Sequence, residues 1–465
     1  MLGTGMDTVA GDGNNLPSWR FHVENLGCIK SGDFEVKPLT LLCGPNNTGK
    51  TWAMYALYGF LEDAYGAPIV FPGIEPMFEE LIEKGICSWD FGNWLNIYAD
   101  DLLNIINQGM QRRLSEIFNA PSSVFSDSHF DWVIKRETFV QSGIDRAINL
   151  ILKFGIKNIA LRIVKPAREP NIQITLLVEE IPDLQSVINV VIFDHLLGAV
   201  EKSWKVFLMP TERNGLHLFY KELAYKRTAM LHPSMIDDLN SSNLSRYAEP
   251  IANYIDWLIK IPELLKRKTD RYQGLARQVE SLVGGHFGVD TEGNVSFTPN
   301  QSLERLDLHL SSSTVKSLFG LWFYLEHQAK PGDMLMIDEP ELNLHPANQR
   351  ALARLLARLV NAGLRVVVST HSDYIVREIN SLIMLDRPHP KRAELMQRFG
   401  YLEEEVLNPG KVACYLFDQS KIKTMEITPD EGILASTFDE TIHDLNDTSD
   451  GIYYTYRDGV EEDVE

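Results

Sequence analysis

Residues 39–63, LTLLCGPNNTGKTWAMYALYGFLED, leave few folds open to this chain. An apolar run enters a loop bounded by Gly44 and Gly49, and a stretch with helical spacing follows. The loop fits G-x-x-x-x-G-K-[ST] at every fixed position, and strand, loop, helix is the setting such a loop requires. Gly44 and Gly49 permit a tight turn, so that backbone N–H groups around Asn46, Asn47 and Thr48 point inward at phosphate oxygens. Lys50 supplies a positive charge for the β- and γ-phosphates, and Thr51 offers its hydroxyl to Mg2+. The following helix turns its positive end on the anion. ATP with Mg2+ is the expected ligand.

A second motif, MLMIDEPELNLHP (334–346), reads as a buried strand that delivers Asp338 and Glu339 at its carboxyl end, where ligands sit in open α/β sheets. Asp338 would hold Mg2+ through water. Glu339 would orient and polarise the attacking water, because phosphoryl transfer depends on positioning and charge more than on covalent chemistry. A third apolar run ends in Ser369-Thr370-His371-Ser372, from which His371 can reach a γ-phosphate. Around these motifs the order is helix 314–328, strand DMLMID, helix 347–362, strand LRVVVST, a helix, and a short strand SLIML. Alternation at this spacing predicts an α/β fold with a mostly parallel, covered sheet.

Elsewhere the patterns divide the chain as follows. Residues 1–17 read as a flexible tail and 18–71 as the lobe with the phosphate loop. Residues 72–200 read as an inserted lobe of mixed helix and strand, with SVINVVIFDHLL (186–197) among its strands. A helical lobe closing in the hairpin GGHFGVDTEGNVSFTP occupies 201–300, and the acidic and histidine motifs lie in 301–390. Residues 391–465, with VACYLFD and KTMEITP, predict a small β appendage and an acidic tail.

Acidic residues number 64 against 44 basic, for a net charge of -20. That argues against a surface coated in nucleic acid but leaves room for a local basic groove. Residues 264–278 and the series Arg146, Lys153, Lys157, Arg162, Lys165 and Arg168 read as solvated faces or as contacts for nucleic acid or an acidic protein. The four cysteines are scattered without metal-ligand spacing, which points to a reducing cytosol. No signal-peptide pattern opens the chain and no apolar run is long enough for a membrane, so the expectation is a soluble, cytoplasmic protein.

The stretch HLSSSTVKSL (309–318) opens the helix ahead of Asp338. Serine is among the best helix N-caps, and a plain cap accounts for the run. Lys316, however, lies in the first turn, where the helix dipole favours an acid; an anion docking nearby would explain a cation there. After another buried run come Glu212 and Arg213, an arginine that would pair with a phosphate or with Glu212.

The phosphate loop, DEPELNLHP and STHS in this order resemble the ABC-type ATPases of the RecF/SMC/OLD group. The resemblance covers 20–60 and 205–390. PTERNGL (210–216) is similar to the standalone OLD-like ATPases of bacterial anti-phage systems, among them the ATPase subunits of PARIS-type defence, which pair with a separate Toprim nuclease. The resemblance implies an ABC-type head, with an antiparallel β part beside the parallel strands. It implies heads that dimerise around two ATP molecules and assemble further. It also implies that Ser311, Ser312 and Ser313 act in trans on the partner's γ-phosphate, with Asn343 in the loop crossing the interface. Members usually carry glycine beside the signature serine; its absence here implies slow hydrolysis. The implied role is a sensor and scaffold for a Toprim-type nuclease, triggered by a phage protein or DNA. A RecF-like ATPase of DNA ends or gaps is the alternative, and a transporter subunit fits worse. The 80 residues after SLIML are too few for a fused Toprim domain, so a nuclease would be a separate partner.

Overall fold

The computed structural model describes residues 19–62, 70–154, 158–178, 183–197, 205–230, 247–267, 269–302, 304–434 and 447–456. The expected tail at 1–17 and the acidic stretch at 457–465 lie outside the described residues. Nine strands form the main sheet: β1 (Trp19–Leu26), β2 (Ile29–Val36), β3 (Leu39–Cys43), β4 (His129–Trp132), β5 (Val206–Met209), β6 (Met334–Asp338), β7 (Arg365–Thr370), β8 (Val412–Asp418) and β9 (Lys421–Thr424). Their spatial order is β4-β1-β2-β9-β8-β3-β7-β6-β5. From β8 to β5 the strands run parallel, whereas β4, β1 and β2 form an antiparallel ribbon.

The continuous apolar runs follow from helices on both faces. The helices that matter here are α1 (Lys50–Glu62), α2 (Phe91–Ile117), α3 (Arg213–Met230), α4 (Glu249–Ile259), α5 (Gln273–Val283), α6 (Ser313–His327), α7 (Pro346–Asn361) and α8 (Asp373–Met384). The pleat sends alternate side chains to opposite faces. Leu42, Met334, Met336 and Val367 join a core with α1 and α2; Leu41, Cys43, Leu335, Ile337, Val366 and Val368 join another with α6, α7 and α8. α1 is buried on every side from Ala53 to Leu61, which fits a helix that is apolar all round. The expected α/β architecture with a large, largely parallel sheet is the one observed.

Residues 72–200 contribute β4 to this sheet, where Phe130 and Trp132 pack with Phe21 and Phe60. They also build a separate antiparallel sheet from Ile86–Asp90, Asn171–Leu176, Asn158–Lys165 and Ile148–Phe154. The hairpin expected at 284–299 forms, with Gly285 paired to Pro299.

Three local expectations are corrected. SVINVVIFDHLL is part of a helix, Leu184–Leu196, because Asp183 caps it by accepting from Ser186 N–H and Ile188, Ile192 and Leu196 bury one face. Helical spacing outweighs the β-branched composition there. SLIML is not a strand: Ile375, Ile379, Leu382 and Ile383 keep the helical period, and α8 runs on to Met384. VACYLFD does not sit in an appendage. It is β8, six of its seven residues buried, lying beside β3 in the sheet interior. Among the described residues, no helix is long and apolar enough to cross a membrane.

Candidate functional site

Strand register brings the motifs to one sheet edge. Asp338 lies opposite Ser369, Thr370 opposite Cys43, and Ile337 opposite Met209. The phosphate loop, the acidic pair, His371 and the Pro210–Arg213 turn therefore all leave the carboxyl ends of adjacent parallel strands.

The loop's glycines are required by geometry. Gly44 has φ +140° and a Cβ there would meet the Phe417 carbonyl at 2.3 Å; Gly49 has φ +105° and would meet Ile29 Cγ1 at 2.5 Å. Asn47 takes the left-handed region that asparagine tolerates, with its carbonyl accepting from Cys28 Sγ. Thr48 Oγ1 donates to the Pro45 carbonyl at 2.8 Å, and Asn46 stands exposed at the tip. Buried Lys50 donates to the carbonyls of Gly44 at 2.8 Å and Pro45 at 2.6 Å. Burial pulls its pKa below the ordinary lysine value, against the carboxylates of Glu339, Asp338 and Glu341. Its ammonium is preplaced inside the loop.

Thr51 Oγ1 donates to Asp338 Oδ2 at 3.0 Å, and Ser369 Oγ donates to Asp338 Oδ1. This pairing puts two hard oxygen donors side by side at the N-terminus of α1, a donor set that fits Mg2+ completed by phosphate and water. Among the described residues there is no cluster of three or more His, Cys, Asp or Glu side chains placed to hold a metal ion.

Glu339 is a non-glycine residue with φ +50°, a conformation that costs on the order of 1 kcal/mol. Two anchors hold it. Its N–H donates to the carbonyl of Ser369 at 3.2 Å and to Ser369 Oγ at 3.0 Å, and its carbonyl accepts from Arg213 Nη2 at 2.7 Å. His371 Nδ1 lies 3.6 Å from Glu339 Oε1 and 3.2 Å from Glu341 Oε1. Glu341 is buried and accepts from Thr370 Oγ1 at 2.8 Å and from the His371 N–H at 2.7 Å. Burial raises its pKa, against the hydrogen bond from the His371 backbone.

The serine run caps α6. Ser312 Oγ accepts from Val315 N–H at 3.3 Å, Ser311 Oγ donates to the Asp307 carbonyl at 3.4 Å, and Ser313 is exposed. Thr314 Oγ1 donates to the Asn343 carbonyl at 2.7 Å, which joins the run to the loop after Glu339. Asn343 itself is left-handed, with φ +61°. Among the described residues none of the three serines hydrogen-bonds to the phosphate loop. The run meets Asn343 through Thr314 instead. Lys316 is half-buried and its carbonyl accepts from His217 Nδ1 at 2.9 Å.

Arg213 bonds neither to Glu212 nor outward. It is buried, and its guanidinium donates to the carbonyls of Pro210, Asp338 and Glu339 and to both oxygens of Ser317. The basic series in 146–168 does not share one face either. Lys165 is buried, donating to the carbonyls of Ile144, Arg146 and Pro166, and Arg146 donates to those of His195 and Leu196, whereas Arg162 and Arg168 are exposed. Lys157 lies outside the described residues. Glu341, Ser369 and Ser317 went unassigned in the sequence. Only Glu341 carried a signal: a second acid two residues past Glu339.

A family profile described as "AAA domain, putative AbiEii toxin, Type IV TA system" matches residues 209–377. That segment runs from the end of β5 to α8 and excludes the phosphate loop. A search of curated proteins found no significant match. Among solved structures, the chain is similar to the SMC head domain from Thermotoga maritima at 11% identity, covering 78% of this chain and 92% of that one, with a TM-score of 0.30. An SMC head bound to the C-terminal winged-helix domain of ScpA aligns at 11% identity over 78% of this chain and 91% of that one, with a TM-score of 0.33. An Smc head with an extended coiled coil, bound to the C-terminal domain of ScpA derived from Pyrococcus furiosus, aligns at 10% identity over 92% and 99%, with a TM-score of 0.34.

Proposed function

We propose that this chain binds ATP with Mg2+ and hydrolyses it slowly as an ABC-type ATPase whose heads dimerise. It serves as sensor and scaffold for a separate Toprim-type nuclease in cytoplasmic anti-phage defence of the PARIS type. The observation that carries the ATPase part is the contact of Thr51 with Asp338 at the edge where Lys50, Glu339 and His371 converge. The PTERNGL resemblance supports the defence role, and the toxin–antitoxin wording of the matched family suits it.

In this reading the loop amides and Lys50 bind the β- and γ-phosphates. Thr51 and Asp338 hold Mg2+, which when bound offsets the negative charge shared by those phosphates. Glu339 accepts a hydrogen bond from the attacking water and aligns it, and His371 meets the γ-phosphate. Ser311–Ser313 and Asn343 of one head close over the nucleotide of the other. The side chains that stand where glycine is usual hold the partner's phosphate further off, so turnover is slow.

Glu341 fixes His371 from behind. Glu341→Gln keeps an acceptor for Thr370 and the His371 N–H but removes the charge facing Nδ1. We expect hydrolysis to fall about tenfold at unchanged ATP affinity, measured by phosphate release beside equilibrium nucleotide binding.

The partner is tested by affinity capture of the tagged protein from its native host, with and without ATP. Co-purification of a Toprim nuclease is the expected result, matched by a Toprim gene in the neighbouring reading frame. No nuclease, together with tight and salt-sensitive binding to DNA ends, would overturn the scaffold role in favour of a RecF-like ATPase.

A further inference from the structure

We infer that Arg213 is a positioning residue that fixes Glu339 and ties it to the helix carrying the serine run. This rests on the ATPase reading above, since it gives Glu339 work to orient. Arg213 is 1% exposed, and its guanidinium gives five hydrogen bonds, all to uncharged acceptors. Nη1 reaches the carbonyls of Pro210 at 3.0 Å and Asp338 at 2.7 Å; Nη2 reaches that of Glu339 at 2.7 Å; Nε reaches the Ser317 carbonyl at 3.2 Å and its hydroxyl at 3.1 Å. A buried arginine that serves only folding would ordinarily take a carboxylate partner. Here the fork spans three chain segments: the end of β5, the end of β6 and the first turns of α6.

Two consequences follow from that span. Glu339 sits in the left-handed region, and its peptide groups are held on the amide side by Ser369 and on the carbonyl side by Arg213. Removing one anchor frees a strained residue to relax, and a general base must lie within about 0.5 Å of its working position to act. Ser317 lies one helical turn, about 6 Å, beyond Ser313. With the Thr314–Asn343 bond it gives α6 two links to the loop of Glu339. The helix that closes on the partner's phosphate and the glutamate that aligns the water therefore shift together. The buried positive charge adds to the potential at the same edge, but its geometry, not its charge, sets the carbonyls.

The test compares full-length wild type, Arg213→Lys and Glu339→Gln for ATP affinity, kcat and thermal unfolding. Lysine keeps the charge and replaces the planar fork by a single point donor that cannot span these acceptors. Arg213→Lys should bind ATP within about threefold of wild type while kcat falls at least about tenfold. In the Glu339→Gln background the same change should lower residual turnover less than about twofold, because Arg213 acts through Glu339. A kcat within twofold of wild type overturns the inference. So does an equal loss of affinity and rate, which marks a merely structural role, or a multiplicative loss in the double variant. Should Arg213→Lys unfold, Ser317→Ala removes one acceptor of the same guanidinium. A kcat fall of at least about threefold at unchanged affinity is then expected, and an unchanged kcat overturns the inference. Wild-type turnover in Glu339→Gln would instead bring down the ATPase reading itself, whatever Arg213 does, and this inference with it.

Discussion

Glu339→Gln is expected to cut ATP turnover on the order of 10²- to 10⁴-fold while leaving ATP bound, so that the nucleotide-held assembly accumulates. Glutamine has nearly the same shape, and the backbone anchors from Ser369 and Arg213 do not depend on the carboxylate. What disappears is the charge that polarises water and faces His371 at 3.6 Å. Binding should therefore survive the loss of chemistry, as for an interaction made chiefly in the transition state. Phosphate release gives the rate, and size-exclusion chromatography with and without MgATP gives the assembly. Unchanged turnover together with an unchanged oligomer would refute the assignment of Glu339.

Glu339 also shows where sequence reading reaches its limit. Its place at a strand's carboxyl end beside the phosphate loop was legible, because an apolar run, an acid pair and a Gly-rich loop at this spacing form a recognisable pattern. Its left-handed φ was not, because proline follows it and neither residue announces a positive φ. Arg213 was visible as a residue of interest, yet its acceptors come from β5, β6 and α6, segments more than 100 residues apart in the chain for Ser317, Asp338 and Glu339. No local pattern encodes such a contact. Helix 184–196 was read as a strand at its β-branched run, and SLIML, the last turn of helix 373–384, was read as a separate strand; burial of one helical face outweighs a weak intrinsic preference in both. β8 was placed at the periphery because a strand after the last expected helix reads as an addition. The burial of its first six residues is the mark of a strand flanked on both sides, and only the register with β3 reveals which sides those are. In the serine run, Ser312 fills the cap role within one chain, and a trans role needs a second head.

Lys50→Ala is expected to weaken ATP binding on the order of 10²-fold, from a loss of about 3 kcal/mol. The ammonium is buried and already oriented by the carbonyls of Gly44 and Pro45, so little ordering remains when phosphate arrives. Its removal does more than delete one charged hydrogen bond. Asp338, Glu339 and Glu341 all stabilise the protonated lysine, and without it they face the triphosphate as uncompensated negative charge. Lys50→Arg should recover only part of the loss, because a planar guanidinium cannot sit between two carbonyls that a compact ammonium reaches at 2.6 and 2.8 Å. Equilibrium titration with a fluorescent ATP analogue, beside a thermal melt to confirm folding, measures both variants. ATP affinity within threefold of wild type in a folded Lys50→Ala protein would remove the phosphate loop from the binding site, and every role assigned to its neighbours would lose its substrate.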